Sequence, residues 1–204
     1  MNTKTAVLFG ATGLIGGHVL KLLIDDPYFD KLIVVTRKEI SLKNKKIDLQ
    51  MIDFSKPNEI EECIHENAVV FSSIGTTRSK VKGNKKTYRE IDHDITCKIG
   101  EACKIQNVER FLFISSTGAE STSSSFYLKL KGEIENEMAN LNLSSLIILR
   151  PSLLLGKRNE IRLGERIAQL LTPLFSFMLP SNLKPVKAIS VARVMVDLSK
   201  SDYS

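Results

Sequence analysis

Tyr127 and Lys131 stand four residues apart in the string Tyr127-Leu-Lys-Leu-Lys131. On a helix that spacing puts both side chains on one face, with Cβ atoms roughly 5–6 Å apart. A lysine ammonium beside a phenol favours the phenolate and lowers its pKa from about 10, which makes an acid/base usable at neutral pH. Leu130, Ile134, Met138 and Leu141 repeat at helical spacing through the same segment. Tyr127 lies on that stripe and Lys131 at its edge, so both are expected to face the protein rather than bulk water. Ser115 and Ser116 close the short apolar run Phe111–Ile114. A serine hydroxyl at such a strand end can polarise a carbonyl. The plainer alternative for the Tyr/Lys pair is a core aromatic with a snorkelling lysine.

A second constellation lies near the start, where Val7 to Gly17 read VLFGATGLIGG. An apolar run ends in Gly10, two glycines follow at Gly13 and Gly16, and a helical pattern begins. This is a strand, a tight turn and a helix start, with the segment Gly10, Thr12, Gly13, Leu14, Ile15 and Gly16 offering backbone N–H groups to a phosphate. Gly13 permits close approach of a pyrophosphate, and Gly16 lets the helix pack on the strand. Glycine turn and Tyr/Lys pair together predict a dinucleotide-binding enzyme. The next apolar strand ends Val34-Val35-Thr36-Arg37-Lys38, with no acidic residue until Glu39. NAD-selective folds place a carboxylate near this point for the ribose hydroxyls. Here Arg37 can grip a 2′-phosphate bidentately and Lys38 adds a point charge. Charge-assisted bonds contribute roughly 1.5–3 kcal/mol each, so NADP(H) is expected over NAD(H); the alternative is an Arg-Lys pair pointing into water. Asp53 and Phe54 follow a weaker strand. There a carboxylate could accept from an adenine amino group while Phe54 borders the ring, or Asp53 could simply lead a helix.

These groups need a scaffold. Ala6–Phe9, Leu32–Val35, Ala68–Phe71, Phe111–Ile114 and Leu146–Leu149 are continuous apolar runs, and Ile47–Ile52 is a weaker one. Continuous rather than alternating strands imply burial on both faces, hence a parallel sheet covered by helices. Ile15, Val19, Leu22 and Leu23 make one helical stripe; Ile91, Ile95, Ile99 and Ala102 make another. Strand and helix alternate, which predicts a doubly wound α/β fold of the Rossmann type over residues 1–204 as one domain. After Pro151 the alternation weakens. Arg158–Leu171 reads as helical, Pro173–Pro185 as irregular, and Ser190–Ser199 as a helix with Ser190 as N-cap. Residues 152–204 are expected to form a small cap over the carboxyl ends of the strands.

At 204 residues and 43% hydrophobic content, the chain can bury a real core and is not of disordered composition. The longest apolar stretch, Ile167 to Pro180, is broken by Gln169, Thr172 and Pro173, so no bilayer span is expected. Ala6–Phe9 is too short for a signal-peptide core and runs into the glycine turn. Three cysteines without CxxC spacing read as reduced thiols of a cytoplasmic protein. The net charge of +6 sits largely in Lys43–Lys46 and Arg78–Lys86. Solvated loops are the favoured reading of these stretches, since aromatic stacking residues do not interleave them, and nucleic-acid binding is not expected. His18, His65 and His93 show no metal spacing, and no metal site is expected.

Taken together, Gly10-Ala-Thr-Gly13-Leu-Ile-Gly16, Ser72-Ser-Ile-Gly75-Thr-Thr-Arg78, Phe113-Ile-Ser115-Ser116-Thr-Gly118-Ala, Tyr127-Leu-Lys-Leu-Lys131-Gly-Glu and Leu149-Arg150-Pro151 resemble the short-chain dehydrogenase/reductase superfamily. The similarity is to its atypical, Tat-interacting-protein-like branch and covers nearly the whole chain. The resemblance implies that Tyr127 is the acid/base, that Lys131 holds the nicotinamide ribose and tunes Tyr127, and that Ser116, with Ser115 second, fills the serine role. It further implies that Ser73, Ile74 and Gly75 line the nicotinamide ribose and that Pro151 and its successors meet the carboxamide. Asp92 departs from the pattern, standing where related enzymes often place an asparagine. The expected activity is NADP(H)-dependent oxidoreduction of a small carbonyl or alcohol. Two alternatives are an NADP(H)-binding regulator acting on a protein partner, and a sugar-nucleotide epimerase or dehydratase.

Overall fold

The computed structural model describes residues 4–155 and 184–201. Six strands, β1 (Thr5–Phe9), β2 (Lys31–Thr36), β3 (Ile47–Met51), β4 (Val69–Ser72), β5 (Arg110–Ile114) and β6 (Leu146–Leu149), form one sheet in the order β3-β2-β1-β4-β5-β6. Every pairing in it is parallel. Alternate side chains of each strand go to opposite faces. Leu8, Val34, Phe71 and Leu112 face one layer, while Val7, Phe9, Ile33, Val70 and Phe111 face the other. That division explains why the strands read as unbroken apolar runs.

The first face is covered by helix α1 (Leu14–Asp25), through Val19 and Leu23, and by the helix Ala188–Leu198, through Val191 and Met195. The second is covered by α2 (Pro57–Glu62), α4 (Ile95–Ile105) and α5 (Phe126–Asn140), through Ile60, Ile99, Ile134 and Met138. A short helix α3 (Lys85–Arg89) runs into a π-helical turn, Glu90–Asp94, that leads into α4. In chain order Ala188–Leu198 is α6. Ahead of it β8 (Val186–Lys187) pairs in parallel with β7 (Leu154–Leu155).

Several expectations shift. Helix α6 begins at Ala188 with Lys187 as N-cap, so Ser190 lies inside it. The π turn breaks the expected Ile91–Ile95–Ile99–Ala102 stripe. Ile91 packs with Tyr88 and Leu130, whereas Ile95, Ile99 and Ala102 join the sheet-facing core, because the wider turn offsets the helical phase. Lys46 is not merely solvated: its Nζ donates to the carbonyls of Leu23 (2.8 Å) and Asp26 (2.5 Å) at the end of α1, as a C-terminal cation should. The helix expected over 158–171 lies outside the described residues, as does the irregular stretch from 173 except for its last two residues.

Candidate functional site

The chain leaves β1 toward β2 on one side and returns to β4 on the other. The order therefore reverses between β1 and β4, and a crevice opens at their carboxyl ends. Gly10 turns there with φ +84°, and a Cβ on it would lie 2.8 Å from the Ser73 carbonyl carbon. A Cβ on Gly16 would lie 2.1 Å from the Gly10 oxygen, so α1 packs on the turn as expected. The Ser73 hydroxyl bonds within 3.2 Å of the Phe9 and Gly10 carbonyls, which ties the ends of β1 and β4 into one piece. Gly13 caps α1 without a side-chain bond, and the first turn carries no acidic residue. The leading N–H groups of a helix have no intrahelical partner. This end is thus a seat for an anion, and it lines the cleft through Thr12, Gly13, Leu14 and Ile15.

Across the cleft, α5 presents Tyr127 and Lys131. Tyr127 is 39% exposed while Lys131 is 5% exposed. The expectation that both face the protein holds for Lys131 alone: Tyr127, in the first turn of α5, lines the open cleft. The Lys131 ammonium lies 3.3 Å from Asp92 Oδ2. The same carboxylate accepts from the Thr76 N–H at 2.5 Å. Asp92, which is 2% exposed and sits on the π turn, therefore joins the β4 loop to the α5 lysine, a link visible in the sequence only as a departure from a pattern. Tyr88, whose hydroxyl donates to the Thr76 carbonyl (3.3 Å), sets its ring edge-on to Tyr127 with centroids 6.5 Å apart.

Ser115 and Ser116 both line the cleft beyond β5. The Ser116 hydroxyl donates to the Thr117 carbonyl at 3.3 Å. Ser115 is 3% exposed, and its Oγ has no hydrogen-bond partner. A buried hydroxyl without a partner is rare and calls for one, so Ser115 is the serine with capacity to spare, although the resemblance ranked Ser116 first. Ile74, Gly75 and Pro151 also line the cleft. Arg150 holds the turn at Pro151 through two bonds to Glu135 on α5, one of them 2.9 Å.

Six expected residues stand apart from this lining: Gly10 and Gly16, which shape the turn, and Arg37, Lys38, Asp53 and Phe54. Arg37 and Lys38 are exposed just beyond β2, on a turn fixed by Thr36 Oγ1 donating to the Lys38 carbonyl at 2.9 Å. Phe54 is 7% exposed and packs edge-on against Phe9 in the core. Asp53 accepts from the Ser55 N–H at 2.9 Å, a bond that holds its carboxyl below the usual range. It lies three residues ahead of Lys56, the N-cap of α2. Arg78, Lys80 and Lys85, which the sequence reading assigned to solvent, line the cleft, and so does Lys21.

His93 is less isolated than its spacing suggests. With Cys97 and Glu137 it gathers ligand-type atoms within 4.8 Å. Arg89 Nη2 lies 3.1 Å from His93 Nε2, a permanent cation where an ion would have to sit. Burial pushes the Cys97 thiol pKa up, further from the thiolate that a metal requires. All three cysteines are buried and free.

A model of the family described as NAD(P)H-binding matches residues 10–202. The mitochondrial protein FMP52 of Candida glabrata is 38% identical over 80% of this chain and 70% of its own length. HTATIP2 of Rattus norvegicus is 30% identical over 83% of this chain and 70% of its own. Among solved structures, WbmH of Bordetella bronchiseptica in complex with NAD+ superposes with TM-score 0.74 at 14% identity, covering 98% of this chain and 73% of that one. The designation of the FMP52 relatives as mitochondrial overturns the cytoplasmic expectation. That expectation rested on cysteines read as reduced thiols, which do not distinguish one reducing compartment from another. Among the described residues no helix is long and apolar enough to cross a membrane.

Proposed function

The chain belongs to the NAD(P)H-binding family, and from that premise we propose that it is an NADP(H)-dependent oxidoreductase of the short-chain dehydrogenase/reductase type, acting on a small carbonyl or the corresponding alcohol. The observation that carries the reading is convergence. The uncapped α1 terminus, the half-open Tyr127 phenol, the buried Lys131 ammonium and the unpartnered Ser115 hydroxyl all line one cleft. The Thr12–Ile15 backbone would hold the diphosphate, Ser73–Gly75 the nicotinamide ribose and Pro151 the carboxamide, with Arg37 and Lys38 on the adenosine 2′-phosphate. When bound, the nicotinamide supplies or accepts hydride. The serine pair at the end of β5, Ser116 and behind it Ser115, would donate a hydrogen bond to the substrate oxygen. Tyr127 delivers or removes the proton at that oxygen. Lys131 holds positive charge beneath the phenol, and Asp92 holds Lys131 in place. Ser152, Leu153 and Leu154, which line the cleft after Pro151, would belong to its substrate side. The FMP52 relatives support a mitochondrial setting.

The test is NADPH consumption across a panel of aldehydes and ketones. Tyr127→Phe is expected to lower turnover about 10²–10⁴-fold, the range for a positioned acid/base, while NADPH affinity measured by calorimetry stays unchanged. Tight NADPH binding with no turnover across the panel would replace this reading with that of a nucleotide-dependent regulator.

A further inference from the structure

We propose that the cleft takes a substrate carrying an anionic group, a carboxylate or a phosphate ester, seated by Arg78 and Lys85 beside Tyr127; this rests on the oxidoreductase reading and names the substrate class of that site. Among the described residues lining the cleft, five are cationic (Lys21, Arg78, Lys80, Lys85, Lys131) against one carboxylate, Asp92. That carboxylate is committed to Lys131 and the Thr76 N–H. Neither Arg78 nor Lys85 meets a carboxylate among the described residues.

The stretch carrying them is built, not loose. The Gly83 N–H donates to the Arg78 carbonyl at 2.8 Å and the Asn84 N–H to that of Val81 at 2.9 Å. Asn84 Oδ1 then accepts from the Lys86 and Thr87 N–H groups at 2.9 and 3.1 Å and starts α3 at Lys85. Val81 and Tyr88 pack on Leu130 of α5 as a small core of their own. These anchors hold Lys85 against α5, where its Nζ stands 5.5 Å from the centre of the Phe126 ring. Phe126 precedes Tyr127 on α5, and Lys85, Phe126 and Tyr127 all line the cleft. The coenzyme's diphosphate already has a seat in the backbone of α1, which needs no lysine. Arg78 and Lys85, which meet no carboxylate among the described residues, favour an anionic occupant over a neutral one.

The experiment compares two matched pairs with NADPH: 4-formylbenzoate against methyl 4-formylbenzoate, and glyceraldehyde 3-phosphate against glyceraldehyde. In at least one pair the anionic member should show a KM lower by about tenfold or more, the scale of a charge-assisted hydrogen bond, and the favoured pair identifies carboxylate or phosphate. Arg78→Ala and Lys85→Ala should each erase most of that advantage and leave NADPH affinity unchanged. Lys86→Ala, one residue along α3 and outside the cleft, should retain it. Equal KM values within both pairs would overturn the inference, as would a loss of NADPH affinity in Lys85→Ala that matches the loss of KM. If no compound turns over, calorimetry of the NADPH-bound protein with the same four compounds decides. Binding of the anionic members alone then upholds the anion seat while the catalytic reading fails, and absence of such binding overturns both.

Discussion

Ser115 separates function from stability more sharply than any other residue of the cleft. Its hydroxyl is buried and unpartnered, so Ser115→Ala removes a desolvation cost and no protein hydrogen bond. The melting temperature should hold or rise, since an unsatisfied buried polar group costs about 1–3 kcal/mol, while turnover falls. A lowered melting temperature with intact turnover would refute the assigned role. Arg37 offers a second test at this scale. Arg37→Ala should reduce the ratio of NADPH to NADH affinity about tenfold or more, measured by paired calorimetric titrations. The glycines, Tyr127 and Lys131 were legible because their chemistry is tied to spacing. The packing of Phe54 on Phe9 was not legible, because an aromatic at a strand end looks the same in sequence whether it borders a ligand or fills the core.

At the scale of elements, the strands were readable because apolar runs buried on both faces leave little else to read. The π turn was not, because its lengthened hydrogen bonding changes no residue type. It nevertheless places Asp92 between the β4 loop and α5, with Lys131 as its partner. Asp92→Ala leaves a buried ammonium without its counter-charge and should cost about 3–5 kcal/mol of unfolding free energy. Adding Lys131→Met should recover much of the loss, as urea denaturation of the two variants would reveal. Similar losses in the single and double variants would mean that the π turn, and not the ion pair, needs the carboxylate. The Arg78–Lys86 stretch shows the same limit on reading. A lysine-rich string looks alike whether it faces bulk solvent or a cleft, and here Val81 and Tyr88 anchor it over α5.

For the whole molecule, closure depends on α6 returning to α1. Lys200 reaches Asp26 at 2.7 Å. Burial alone would raise the Asp26 carboxyl, but the bonds from Lys200 and the Tyr28 N–H outweigh it and hold the pKa below the usual value. A carboxyl depressed in the native state stabilises above the ordinary carboxylate pKa of about 4, and that stabilisation disappears as pH falls through the lower native value. Lys200→Ala should therefore lower stability most at neutral pH, with the difference from the unsubstituted protein shrinking as pH falls through the native Asp26 value, as urea denaturation followed by circular dichroism at neutral and at acid pH would read. The strand order carries a further consequence, for synthesis. β2 joins one side of β1, β3 extends that side, and β4, β5 and β6 then accrete on the other in turn. Each newly made strand finds an open rim, and none must be wedged between two that are already paired. The sheet can grow outward from its first strand as the chain leaves the ribosome.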